Sequence, residues 1–155
     1  MKEVPLTSIL PHRYPFLFVD RVVETKPGEW IVAEHLVSHS SPILQGHFPG
    51  NPIVPGVVQV EMMAQAAIVL TYYSGKFDPK TQIGYFIGIG EAKFRAKAVP
   101  GEVLRIRVEA QRLGRVGRFS GEVHAGDELK SRATFTAVID KKPEDPIEGA
   151  AEDEA

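Results

Sequence analysis

The 155-residue sequence contains no cysteine, so disulfide frameworks, thiolate metal sites and cysteine nucleophiles are all excluded. It has only one tryptophan and no apolar run of the length a membrane-spanning helix needs. The opening Met1-Lys2-Glu3-Val4-Pro5 lacks the basic segment and apolar stretch of a secretion signal. The expectation is a soluble cytoplasmic protein that does not enter a membrane. Neither a Walker loop nor a dinucleotide fingerprint is present, and the glycines at 114, 117 and 121 suit turns rather than a phosphate cradle. What the chain has is average: 43% hydrophobic and 25% charged residues, with a net charge of -2. That composition and length suit one globular core.

The small net charge hides an uneven distribution. Residues 141–155 hold Glu144, Asp145, Glu148, Glu152, Asp153 and Glu154 against Lys141 and Lys142. They lack aromatic and, apart from Ile147, β-branched residues, so they read as a disordered acidic tail on a domain covering residues 1–140. Residues 93–118 are the opposite, with Lys93, Arg95, Lys97, Arg105, Arg107, Arg112, Arg115 and Arg118 against Glu102 and Glu109. An anionic partner is conceivable there, although a solvated sheet face explains the same pattern, and nucleic acid binding is not the reading adopted.

Patterning gives an α+β architecture. Residues 4–10 suggest a short helix stopped by Pro11, and residues 16–24 and 30–37 suggest strands around a Pro27-Gly28 turn. Residues 38–50 form a long loop, and prolines 42, 49, 52 and 55 stiffen the stretch around its end. Residues 57–73 are apolar on every face, the mark of a helix wrapped by other structure. Residues 85–89 and 92–96 read as one strand or two. Residues 103–111, 116–124 and 129–139 alternate apolar and polar side chains, as antiparallel strands with one wet face do. The expected whole is a long central helix against an antiparallel sheet of about five to seven strands.

Two side chains stand out chemically. Glu61 lies one turn into the apolar helix, where an ionised carboxylate is costly unless paired, and no lysine or arginine occurs between Gly56 and Gly75 to pair it. Gln65, one turn further on the same face, is placed to orient it. His47, in Gly46-His47-Phe48-Pro49-Gly50, ends the stiffened loop and is the side-chain type best suited to exchange a proton near neutral pH. Together they offer the acid and base that an elimination or hydration requires. Pro55-Gly56 opens the helix with backbone N–H groups that no helical carbonyl can satisfy, where a carbonyl oxygen gaining charge could bind. Bland alternatives stay open: a surface or structural hydrogen bond for Glu61, a solvated His47, a plain Pro-Gly turn. The spacings of His12, His35, His39 and His47 match no closed zinc pattern, so no metal is expected.

These segments resemble a known family. Leu10-Pro11-His12-Arg13-Tyr14-Pro15-Phe16-Leu17-Phe18-Val19-Asp20-Arg21 is similar to the N-terminal signature of the hot-dog-fold 3-hydroxyacyl-acyl-carrier-protein dehydratases of the FabZ type. Gly46-His47-Phe48-Pro49-Gly50-Asn51-Pro52-Ile53-Val54-Pro55-Gly56-Val57 and Glu61-Met62-Met63-Ala64-Gln65 match its active-site loop and helix start. The resemblance implies a hot-dog fold, with His47 and Glu61 as the catalytic pair and the Gly56 N–H polarising the thioester carbonyl. It implies that Phe48, Val57 and Gln65 contact substrate and that Tyr85 is a gating tyrosine at a tunnel mouth. A glutamate at position 61 looks like the FabZ type, whereas FabA-type dehydratase-isomerases usually carry aspartate. The implied reaction is dehydration of a (3R)-3-hydroxyacyl thioester on acyl carrier protein to the trans-2-enoyl thioester, in fatty acid biosynthesis and without a cofactor. The implied assembly is a homodimer with active sites at its interface, three dimers associating further, and the carrier is expected to meet Lys93, Arg95 and Lys97. Rival readings are a hot-dog thioesterase and a non-catalytic subunit that binds acyl carrier protein.

Overall fold

The computed structural model describes residues 4–143. Its elements are β1 (Arg21–Lys26), β2 (Trp30–Leu36), a single helical turn α1 (Pro42–Gln45), the long helix α2 (Gly56–Tyr73), then β3 (Gln82–Phe94), β4 (Val103–Arg112), β5 (Val116–Ala125) and β6 (Glu128–Lys141). The six strands form one antiparallel sheet in the order β1-β2-β4-β5-β6-β3.

Alternation decides which face of the sheet is buried. Leu104, Ile106 and Val108 on β4, Phe119 and Val123 on β5, and Ala133 and Phe135 on β6 all turn inward, while Arg105, Glu109, Arg118 and Arg132 stay outside. α2 lies across the inner face with Met62, Met63, Ala66, Val69 and Leu70 fully buried. One row of the sheet forms its seat: Ile31, Val108, Gly121, Ala133 and Ala92 stand opposite one another across five strands. The row narrows to small residues where the helix approaches. A Cβ on Gly121 would lie 2.8 Å from Met63 Sδ and 3.1 Å from Met63 Cβ, so glycine there sets the approach. Buried polar atoms on the helix are matched too, as Ser131 Oγ on β6 donates to Gln59 Oε1 at 2.6 Å.

Several elements depart from the expected outline. Residues 4–10 contribute only one 3-10 turn, Leu6–Ser8, and the Arg13 guanidinium takes the carbonyls of Thr7, Leu10 and His12 beyond its start. The first strand begins at Arg21 rather than residue 16, because Phe16 O, Phe18 N and Phe18 O are bonded to side chains and Phe16 N to Arg13 O, instead of to a neighbouring strand. Residues 82–94 form one strand, bulged between Phe86 and Gly88 and between Ile89 and Glu91. β6 continues to Lys141, whose register partner is Gln82, and Lys142 N donates to Thr81 O at 2.9 Å. The remainder of the expected acidic tail, residues 144–155, lies outside the described residues. Among the described residues no helix is long and apolar enough to cross a membrane.

Candidate active site

The loop before α2 presents His47. His47 O accepts from Ile53 N at 2.8 Å, Phe48 and Asn51 exchange two backbone hydrogen bonds of 2.8 Å, and Gly50 takes φ 71°, which favours glycine. The tight loop turns the imidazole so that Nδ1 lies 2.8 Å from Ile53 O. A carbonyl can only accept, so Nδ1 carries the proton and Nε2 is left as a bare base. The ring stacks on Phe48 with centroids 4.1 Å apart. Phe48 itself is half exposed.

Glu61 sits on the second turn of α2 with 17% of its side chain accessible. Gln65 Nε2 donates to its Oε1 at 3.1 Å, and the Gln65 amide is itself fixed, accepting from Phe18 N and donating to Phe16 O at 2.9 Å each. Its remaining neighbour is His12, with Nε2 at 3.3 Å from Oε1. His12 Nδ1 is buried without a hydrogen-bond partner, so the tautomer with its proton on Nε2, facing Glu61, leaves no N–H unsatisfied. The residues 16–18 that might have joined a strand thus serve as a cradle for the Gln65–Glu61 pair. The sequence had placed His12 only in a dismissed metal set and in the N-terminal signature. Its partner on α2 is remote in the chain, and no local spacing encodes that contact.

The cradle extends to His35 on β2, whose Nδ1 bonds Phe18 O at 2.8 Å and lies 3.5 Å from Asp20 Oδ2. Burial lowers the His35 pKa from its ordinary value, outweighing the opposing pull of Asp20 and of the Phe18 carbonyl.

At the start of α2 the N–H groups of Gly56 and Val57 have no partner among the described residues. The ring of Phe94, at the end of β3, rests on Gly56, so closely that a Cβ there would come within 2.6 Å of it. Val57 is exposed on the outer side of the same turn. Tyr85 lies on β3 opposite Val138, about half exposed. Of the basic residues, Lys93 pairs with Glu91 at 3.1 Å and holds that carboxyl below its ordinary range, whereas Arg95 and Lys97 form no ion pair among the described residues. Arg107 stacks on Trp30, 4.8 Å from the ring centroid, and pairs with Glu109. Among the described residues no three histidine, aspartate or glutamate side chains gather as a metal site. Within the single chain His47 and Glu61 share no hydrogen bond or ion pair: His47 is held by Ile53, and Glu61 by His12 and Gln65.

The model of the FabA-like domain matches residues 10–134, most of the chain, and spans His12, His47, Gly56, Glu61 and Gln65. The chain belongs to the FabA-like family. Among its relatives, the 3-hydroxyacyl-[acyl-carrier-protein] dehydratase FabZ of Rhizorhabdus wittichii is 47% identical over 139 residues, covering 89% of this chain and 88% of that protein. The FabZ of Symbiobacterium thermophilum is 45% identical over 142 residues, covering 90% and 98%. In structure, the chain is similar to the dehydratase heterocomplex ApeI:P of Xenorhabdus doucetiae, with a TM-score of 0.76 at 21% identity over 92% of this chain and 93% of that one. A hypothetical thioesterase of Streptococcus pneumoniae superposes with a TM-score of 0.60 at 15% identity, covering 80% and 88%. These neighbours share the hot-dog fold: one long helix wrapped by an antiparallel sheet.

Proposed function

We propose that this FabA-like protein dehydrates a (3R)-3-hydroxyacyl thioester carried on acyl carrier protein to the trans-2-enoyl thioester, a hydro-lyase step of fatty acid biosynthesis. The observation that carries the reading is the match, over nine-tenths of the chain, to FabZ dehydratases of 45–47% identity. The geometry supplies the chemistry. His47, with its proton on Nδ1, offers Nε2 to take the proton from C2. Negative charge then grows on the thioester oxygen, which the free Gly56 N–H at the positive end of α2 stabilises. Glu61, in its acid form, gives a proton to the departing hydroxyl at C3. Both of its contacts fall on Oε1, which leaves Oε2 for the substrate. Phe48 and Val57 line the approach, Gln65 holds the acid, and Tyr85 guards the acyl tunnel. Within one chain His47 and Glu61 share no hydrogen bond or ion pair, and the reading takes the catalytic unit to be a homodimer in which His47 of one protomer faces Glu61 of its partner. The edge strand β3, with Tyr85, Ile87, Ile89 and Phe94 all exposed, is the surface that pairing would cover. Three such dimers form the full assembly. The protein works in the cytoplasm as one domain, and carrier protein docks against Lys93, Arg95 and Lys97.

Incubation with 3-hydroxybutyryl acyl carrier protein tests the reaction. The near-ultraviolet absorbance of a conjugated enoyl thioester is expected to rise with no release of free thiol, and His47→Ala or Glu61→Gln is expected to lower the rate about a hundredfold or more. Free thiol without an enoyl product would instead make the protein a thioesterase, and no change in either would leave a carrier-binding subunit.

A further inference from the structure

The proposed chemistry gives no role to the buried charges Glu34 and Lys130, and Lys130 is the less accessible of the two. Lys130, on β6, is only 3% exposed. A buried ammonium is costly unless its donors are matched, and this one is matched fully. Nζ donates to Lys97 O at 2.8 Å, pairs with Glu102 Oε2 at 3.0 Å and closes its third direction on Glu128 Oε1. Burial acts to lower its pKa, and the hydrogen bonds to Glu128 and Glu102 outweigh it and raise it, so the group remains a cation.

What the cluster grips is the connection between β3 and β4. Lys130 O accepts from Arg95 N at 2.8 Å and Ala96 N at 3.2 Å, its Nζ holds the carbonyl of Lys97, and Glu102 Oε1 accepts from Val99 N at 2.9 Å. Between these pinned points lies Ala98, fully buried, whose carbonyl accepts from Val54 N at 2.9 Å. Val54 is two residues before Gly56. The neighbouring Ser131 fixes the first turn of α2 through Gln59, so β6 grips the connection and the start of the helix side by side.

We propose that Lys130 is a positioning residue, whose ammonium clamps residues 97–99, directly at Lys97 O and through Glu102 at Val99 N, and, through the hydrogen bond from Val54 to Ala98, sets where the Gly56 amide meets the thioester carbonyl. The inference rests on the dehydratase reading. The clamp lies outside the reacting groups and acts through backbone alone.

Its test uses the full-length protein, a carrier-free 3-hydroxybutyryl thioester and a crotonyl thioester labelled with carbon-13 at C1. Lys130→Met is expected to lower kcat about tenfold, less than the ~10²–10³ for outright loss of such a donor, with KM changed less than about twofold. The carbonyl stretch of the bound labelled ligand, read by difference infrared spectroscopy, is expected to move back toward its value in water. Glu102→Gln keeps the shape of the clamp and removes a charge partner, so it is expected to fold and to shift both readouts the same way by less; it carries the test if Lys130→Met does not fold. A purely structural role would lower the thermal midpoint while leaving kcat and the carbonyl band of the folded variants at wild-type values, and that result overturns the proposal. Absence of enoyl product with the wild-type protein would instead defeat the dehydratase reading itself.

Discussion

At the scale of single residues, the site is built from pairs that the chain brings together over long distances. Glu61 is the clearest case: an acid on an apolar helix signalled itself in the sequence, but the histidine beside it did not. His12→Ala removes one of the two contacts on Oε1. The expected effect is a fall in kcat of about tenfold at unchanged KM, the kinetic size of a hydrogen bond worth ~1.5 kcal/mol; steady-state kinetics on a 3-hydroxyacyl thioester reads it. His35 bears on stability through pH. Its pKa in the fold lies below the ordinary 6.5, so the unfolded chain binds the proton more readily. Its stabilising contribution is therefore complete above about pH 6.5, starts to decline as pH falls through that value, and is lost once pH passes below the folded pKa. Urea titrations across this range are expected to show the decline, and His35→Asn, which keeps a donor for Phe18 O but does not titrate, is expected to flatten it.

At the scale of elements, the strands with strict alternation and the helix apolar on all sides were legible because period and burial coincide there. The stretch at residues 16–18 was misread because its backbone groups are used by something other than a neighbouring strand. Residues 16–18 have strand-like composition, yet Gln65 and His35 occupy their hydrogen bonds. The glycine-rich stretch of β3 read as one strand or two, and bulges keep it one. Gly121, a glycine that suited a turn, lies inside β5 as the seat of Met63. Gly121→Ala is expected to cost about 1–3 kcal/mol, the usual size of overpacking a closed core. A lower midpoint at unchanged slope in denaturant unfolding would measure it, and an undisturbed midpoint would mean that α2 can lift from the sheet freely.

At the scale of the whole molecule, the candidate base and acid were visible in the sequence as neighbours within fifteen positions, yet in the folded chain neither hydrogen-bonds the other. Nearness in sequence here reflects a loop that leads directly into a helix, with His47 Nδ1 bonded to Ile53 O and Glu61 Oε1 to His12 and Gln65. An isologous dimer would resolve this, since each protomer then lends its histidine to its partner's acid. The central claim is thus that one site is assembled from two chains, and subunit mixing tests it most directly. His47→Ala and Glu61→Gln proteins, each inactive alone, are dissociated, mixed in equal amounts and reassociated, with mixed dimers verified by native mass spectrometry. Each mixed dimer would hold one intact site, and random pairing predicts recovery of about a quarter of wild-type dehydration. Mixed dimers that form and yet produce no enoyl thioester would contradict the account.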